Sequence, residues 1–115
     1  MLKELVQDFK ALSDINRIRI LKMLEVRPLC VCEITEILGL APSTVSKHLS
    51  ILRNSGFTID KKDGKWVIYD LDFNQSREYN RHLLPLLRTW LVNEEIILRD
   101  QQTVKTVDRS KLCKS

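Results

Sequence analysis

No apolar run in this sequence approaches the roughly 18 residues that a membrane-crossing helix needs, and the opening MLKELVQDFK lacks the layout of a secretory leader. These absences set the expected location as the cytoplasm, with no membrane partner. Internal repeats and low-complexity tracts are missing too. So are the signatures of catalysis: there is no Ser/His/Asp or Cys/His arrangement, no glycine-rich phosphate loop and no carboxylate pair at catalytic spacing. An enzyme is therefore not expected. Cysteine is scarce and odd in number, three in 115 residues. In a cytosolic chain that points away from a disulfide framework and toward free thiols or soft-metal ligands. Strong charge of one sign is absent as well, since 19 basic against 15 acidic side chains leave a formal net charge of +4. That excess is compatible with nucleic acid without being diagnostic. What remains, 43% hydrophobic and 30% charged, is the composition of one soluble globular domain with a modest core.

The most informative stretch runs from Cys30 to Phe57. Val31, Ile34 and Leu38 form a short helical stripe that stops at Gly39, and Val45, Leu49 and Leu52 form another at i, i+4, i+7 behind Pro42, which suits a first helical turn. Helix, glycine turn, helix is the helix-turn-helix order. The solvent face of the second helix collects Ser43, Ser46, Lys47, Ser50 and Arg53, hydroxyls and cations that suit phosphate oxygens and base edges in a major groove. The bland alternative is a polar face on an ordinary helical hairpin. Thr58 to Leu71 then reads as two β-prone runs around Asp63-Gly64, a tight hairpin with Lys61, Lys62 and Lys65 near its tip. In that position the lysines would touch backbone phosphates, as the wing of a winged helix-turn-helix does.

Around this stretch the pattern is helical. Leu2, Leu5, Val6, Phe9 and Leu12 predict an amphipathic helix. Ser13 is the expected cap of a second helix from Asp14 to about Val26, with Ile15, Ile18, Leu21, Met23 and Leu24 on its apolar side. Arg27-Pro28 ends it. From about Asn74 to Asp100, Leu83, Leu87, Trp90, Leu91, Ile97 and Leu98 are expected to line one face, with Pro85 kinking or splitting the helix. Residues 1–100 thus make the domain, mainly α with a small β-hairpin, and residues 101–115 a polar mobile tail. Either the first and last stripes are simply core, or a homodimer forms through the first and last helices. Such a dimer would set two recognition helices roughly 34 Å apart on inverted-repeat, double-stranded operator DNA.

The thiols Cys30 and Cys32 stand where a helix begins. Glu33, three residues after Cys30, gives Cys30 the serine slot of a capping box, a position where sulfur is a poor choice for stability alone. A helix N-terminus favours thiolate, the form that binds metals and metalloids. Residues i and i+2 point about 200° apart, so sharing one ion requires either an unwound first turn or a Cys30 outside the helix. The alternative is two small buried hydrophobes.

PLCVCEI, LAPSTVSKHLSILRNSGF and KKDGKWVIYDL resemble the thiolate motif, recognition helix and wing of the ArsR/SmtB family of metal-responsive repressors, over roughly Leu5 to Leu71 and, by position, the last helix. The resemblance implies a homodimeric repressor of a resistance operon that has no permanent cofactor. It would leave its operator when Cys30 and Cys32 capture trivalent arsenic or antimony. The family's recognition-helix positions correspond to Ser43, Thr44, Ser46, Lys47 and His48. Where many arsenic sensors have a third cysteine this chain has Thr35, so either two sulfurs suffice, with Cys30 and Cys32 the essential pair, or Cys113 supplies the third from the same or the partner subunit. The paired ligands of zinc-sensing relatives are absent, since His82 stands alone. A thiol redox switch, with Cys30 and Cys32 oxidised rather than metallated, is the competing reading on the same fold.

Overall fold

The computed structural model describes residues 1–74 and 77–112. In chain order they form α1 (Leu2–Leu12), α2 (Ile15–Leu24), β1 (Leu29–Cys30), α3 (Val31–Leu38), α4 (Pro42–Asn54), β2 (Thr58–Asp63), β3 (Trp66–Leu71), α5 (Glu78–Thr89), α6 (Glu95–Val104) and α7 (Arg109–Leu112). Among these residues no helix is long and apolar enough to cross a membrane. α3, a glycine turn and α4, followed by the β2–β3 hairpin, make a winged helix-turn-helix.

Local chemistry explains most boundaries. The cap of α2 is Asp14, not the expected Ser13: its carboxylate accepts the amides of Asn16 at 2.8 Å and Arg17 at 3.1 Å, while the Ser13 hydroxyl donates back to the Lys10 carbonyl and closes α1. α3 ends at Gly39, whose φ of +68° is a left-handed conformation that other residues adopt only under strain. Pro42 opens α4, and its stripe Val45, Leu49 and Leu52 is fully buried against α2 and α3. The hairpin pairs Asp63 with Trp66, so its turn residues are Gly64 and Lys65, one position beyond the expected Asp63-Gly64. β1 adds a third strand that was not anticipated. The antiparallel order is β1-β3-β2, with Leu29 opposite Tyr69 and Cys30 opposite Ile68.

The terminal helices depart most from the sequence pattern. α1 turns Leu2, Val6 and Phe9 to the outside and buries Asp8 and Ala11 instead. Pro85 sits on an exposed face of α5 without ending it; the helix breaks later, between Thr89 and Glu95, where Leu91 takes a positive φ of 62°. A buried lysine accounts for the position of the break. Lys22 of α2 donates through Nζ to the carbonyls of Leu87 at 2.8 Å and Trp90 at 2.9 Å, which satisfies the end of α5 and draws the chain out of it. The expected single apolar face therefore divides: Leu87 and Ile97 are buried, while Trp90, Leu91 and Leu98 are exposed.

The expected tail is also corrected. α6 runs past residue 100 to Val104, which has no exposed surface, and the Arg27 guanidinium donates to the carbonyls of Val104 at 3.0 Å and Val107 at 3.2 Å. Asp100, the expected domain boundary, is buried and takes a two-pronged contact from Arg19 at 2.7 and 3.0 Å. Polarity misled here because arginines from α2 and its exit hold Asp100 and the backbone carbonyls of Val104 and Val107.

Candidate nucleic-acid interface and thiol site

α4 presents Ser43, Thr44, Ser46, Lys47, Ser50 and Arg53 to solvent along one side, as its buried stripe requires. A helix of this diameter with short hydroxyls and one lysine on its free face fits a major groove. Two of the expected contact residues already have protein partners. His48 is half-buried, and its Nδ1 lies 3.1 Å from Arg17 Nη1. Guanidinium only donates, so Nδ1 is the acceptor in this contact. Arg53 forms an ion pair with Asp60 on β2, which braces the helix against the hairpin. Lys61, Lys62 and Lys65 are exposed at the far end of that hairpin, Lys65 with its ammonium 5.3 Å from the centre of the Trp66 ring. Helix face and hairpin tip thus offer hydroxyls flanked by cations, groups whose chemistry suits base edges and phosphates.

The thiol site lies at the opposite end of α3 from the glycine turn. Cys30 is the N-cap, with extended backbone at φ −84° and ψ 164°, and is buried at 1% exposure. It packs with Ile68, Cys32 and Trp66, so the fold brings the two predicted cysteines together. The capping box is complete: the Cys30 side chain meets the Glu33 amide, and Glu33 Oε1 accepts the Cys30 amide at 2.9 Å. Sulfur does occupy the serine slot. Because Cys30 lies outside the helix and Cys32 in its first turn, the two need not unwind that turn to face a common guest, and the stricter of the two geometric expectations falls away.

The expected ease of ionisation does not hold for Cys30. Burial pushes its thiol above the ordinary value, and the neighbouring Glu33 carboxylate adds to that push, together outweighing the amide hydrogen bonds that pull the other way. Glu33 itself is held below the usual carboxylate range: burial would raise it, but hydrogen bonds from Arg27 (2.8 Å) and the Cys30 amide dominate. Arg109 of α7 closes the site from outside, with Nε 3.5 Å from Glu33 and its guanidinium 5.7 Å from the Trp66 ring centre. Cys32 is half-buried and disulfide-bonded, which corrects the expectation of thiols throughout. A first-turn side chain at the rim of the site is open to another sulfur, and spacing alone could not reveal it. Cys113 lies outside the described residues. Among those described, no three His, Cys, Asp or Glu side chains are grouped as a metal would need, and His82 is exposed on α5.

Sequence reasoning missed Arg17, Arg27 and Lys22, each of which closes a helix end or reaches across the fold. The contacts that close the fold, from Arg17 to the Ala11 carbonyl out to Arg27 and the Val107 carbonyl, join residues 6 to 80 positions apart, so no local pattern marks them.

The profile described as "Bacterial regulatory protein, arsR family" matches residues 14–58. The arsenical resistance operon repressor of Escherichia coli K12 is 43% identical over 67 residues, which is 57% of this chain and 57% of that protein, so the chain spans only about half of its length. The arsenical resistance operon repressor of Bacillus subtilis 168 is 38% identical over 73 residues, 63% of this chain and 70% of that one. Among solved structures, reduced HlyU from Vibrio cholerae N16961 superposes with a TM-score of 0.63 at 30% identity, covering 77% of this chain and 90% of its own.

Proposed function

The chain belongs to the arsR family of bacterial regulatory proteins, and from that premise we propose that it is a cytoplasmic, homodimeric repressor of a metalloid-resistance operon. It binds inverted-repeat operator DNA with α4 in the major groove and the β2–β3 hairpin on the backbone, and it lets go when trivalent arsenic or antimony joins Cys30 and Cys32. The observation that carries this reading is the strand register at the thiol site. Cys30 caps α3, the first helix of the DNA-reading pair, and its backbone is paired with Ile68 in the wing strand β3. A change at this one residue would act on the wing directly and on α4 through α3, the helix packed against it.

The chemistry is a ligand exchange. A thiol reductant first opens the Cys32 disulfide by two-electron exchange, itself becoming oxidised; the Cys30 and Cys32 thiols then attack arsenous acid, two As–O bonds break and two As–S bonds form, with the thiol protons leaving in two molecules of water. The Cys30 sulfur then gives up its place as cap to the Glu33 amide. Losing a cap destabilises a helix start by about 1 kcal/mol, and a coupling of about 1–3 kcal/mol changes affinity roughly 5- to 150-fold. The homodimer is supported by the exposed apolar faces of α1 and of the segment from Trp90 to Leu98.

A second reading, with Cys30 and Cys32 oxidised rather than metallated, draws support from the disulfide state of Cys32 only, because Cys30 keeps its thiol. There a peroxide takes two electrons from a pair of thiols, a disulfide forms and operator affinity changes without any metalloid. Anisotropy titrations on DNA selected from a random-sequence library separate the two. Release by arsenite or antimonite from fully reduced protein, with the mass increment of one bound metalloid, supports the first; indifference to both ions with release by peroxide sinks it and leaves the second.

A further inference from the structure

α1 buries an aspartate, and the company it keeps suggests what the aspartate does. Asp8 Oδ2 accepts from Asn80 Nδ2 at 2.8 Å, and Oδ1 accepts from Arg77 Nη1. The same Asn80 nitrogen and the same Arg77 nitrogen also donate to the Ser55 carbonyl, at 2.9 and 3.2 Å. Ser55 is the C-cap of α4, and both Asp8 and Asn80 are essentially without exposed surface. A carbonyl at a helix C-terminus needs donors and attracts positive charge. Here it takes two, one of them cationic, from a cluster that also locks α1 to α5. A second strut meets α4 half-way along: Arg17 donates to the carbonyls of Ala11 at 2.7 Å and Lys10 at 3.2 Å, the end of α1, and to His48.

We propose that Asp8, Arg77 and Asn80 are positioning residues for DNA reading, fixing the C-terminal end of α4 to the α1–α5 pair. The inference rests on the DNA-binding reading above and deepens it. Packing alone would hold α4 by its buried stripe, yet a stripe lets a helix slide and tilt; directional hydrogen bonds at its end and middle do not. The orientation of α4 is then set by α1, which carries one exposed apolar face, and by α5, which leads directly into the other, so the distance between two reading helices in a dimer would be defined to within a base pair, about 3.4 Å of DNA axis. None of the three residues would contact DNA, and their loss would blur the choice among operator spacings rather than the choice among bases.

The test uses the full-length reduced protein and duplexes selected from a random-sequence library, resynthesised with the spacer between half-sites changed by one and two base pairs. Two variants are compared with wild type: Asn80→Ala, and the double variant D8N with R77Q, which removes both charges together and guards against a fold lost to an unpaired buried carboxylate. Dimer mass and thermal unfolding are recorded for each. The expected result is a folded dimer whose preference for the selected spacing over its neighbours falls by roughly 2- to 30-fold, with base preference within each half-site unchanged. Restoring the cluster by Asn80→Gln or R77K should recover part of the preference. An unaltered spacing preference in both variants overturns the proposal alone. A wild type without affinity for any duplex overturns the DNA reading and this proposal with it, and is recognised before any substitution is made.

Discussion

Cys30 shows how much a single residue reveals and withholds. Its place in a capping box was legible, because the Glu33 three positions on is a local signal and the structure completes both halves of it. Its acidity was not, because burial beneath Ile68 and Trp66 depends on a strand nearly 40 residues away. Serine can make the same cap, so Cys30→Ser should fold as well as wild type, within about 1 kcal/mol, and bind operator DNA normally while no longer releasing it on arsenite addition. Anisotropy with and without arsenite, alongside urea unfolding, checks this; loss of DNA binding would mark the sulfur as structural. The pH dependence follows in sign. With its folded thiol raised, Cys30 contributes stability that is whole below the ordinary thiol value of about 8.5 and is lost as pH rises through the folded one. The alkaline limb of the unfolding midpoint should therefore flatten in the serine variant.

Among the elements, α3, α4 and the hairpin were readable because periodicity, glycine and proline act within a few residues of where they stand. The break between α5 and α6 was not, since Lys22 imposes it from 65 residues away. That lysine is 1% exposed and also pairs with Glu25 at 2.8 Å. Lys22→Met should cost about 3 kcal/mol by urea unfolding, because Glu25 and two carbonyls lose their partner together. On the wing, changing Lys61, Lys62 and Lys65 to Gln should weaken binding to all DNA sequences alike. It should also reduce the slope of log affinity against log salt by about 0.9 for each phosphate that is no longer neutralised. Ser46→Ala with Lys47→Ala should instead reduce discrimination between bases, read from competition with mismatched duplexes.

For the molecule as a whole, Leu2, Val6, Phe9, Trp90 and Val92 stay exposed, more apolar surface than an isolated small domain usually leaves uncovered. Phe9→Glu with Trp90→Glu should yield a folded monomer by sedimentation, with operator affinity lowered because one chain reaches only one half-site. The extent of the domain was the least legible feature, since arginine contacts to Asp100, Val104 and Val107 join residues about 80 positions apart. Those same contacts bear on how the molecule comes into being. Val104 completes the core, and Arg19, Lys22 and Arg27 reach Asp100, the end of α5 and the carbonyls of Val104 and Val107, so a chain still emerging from the ribosome lacks the long-range half of these contacts until α5, α6 and the residues just after them have followed.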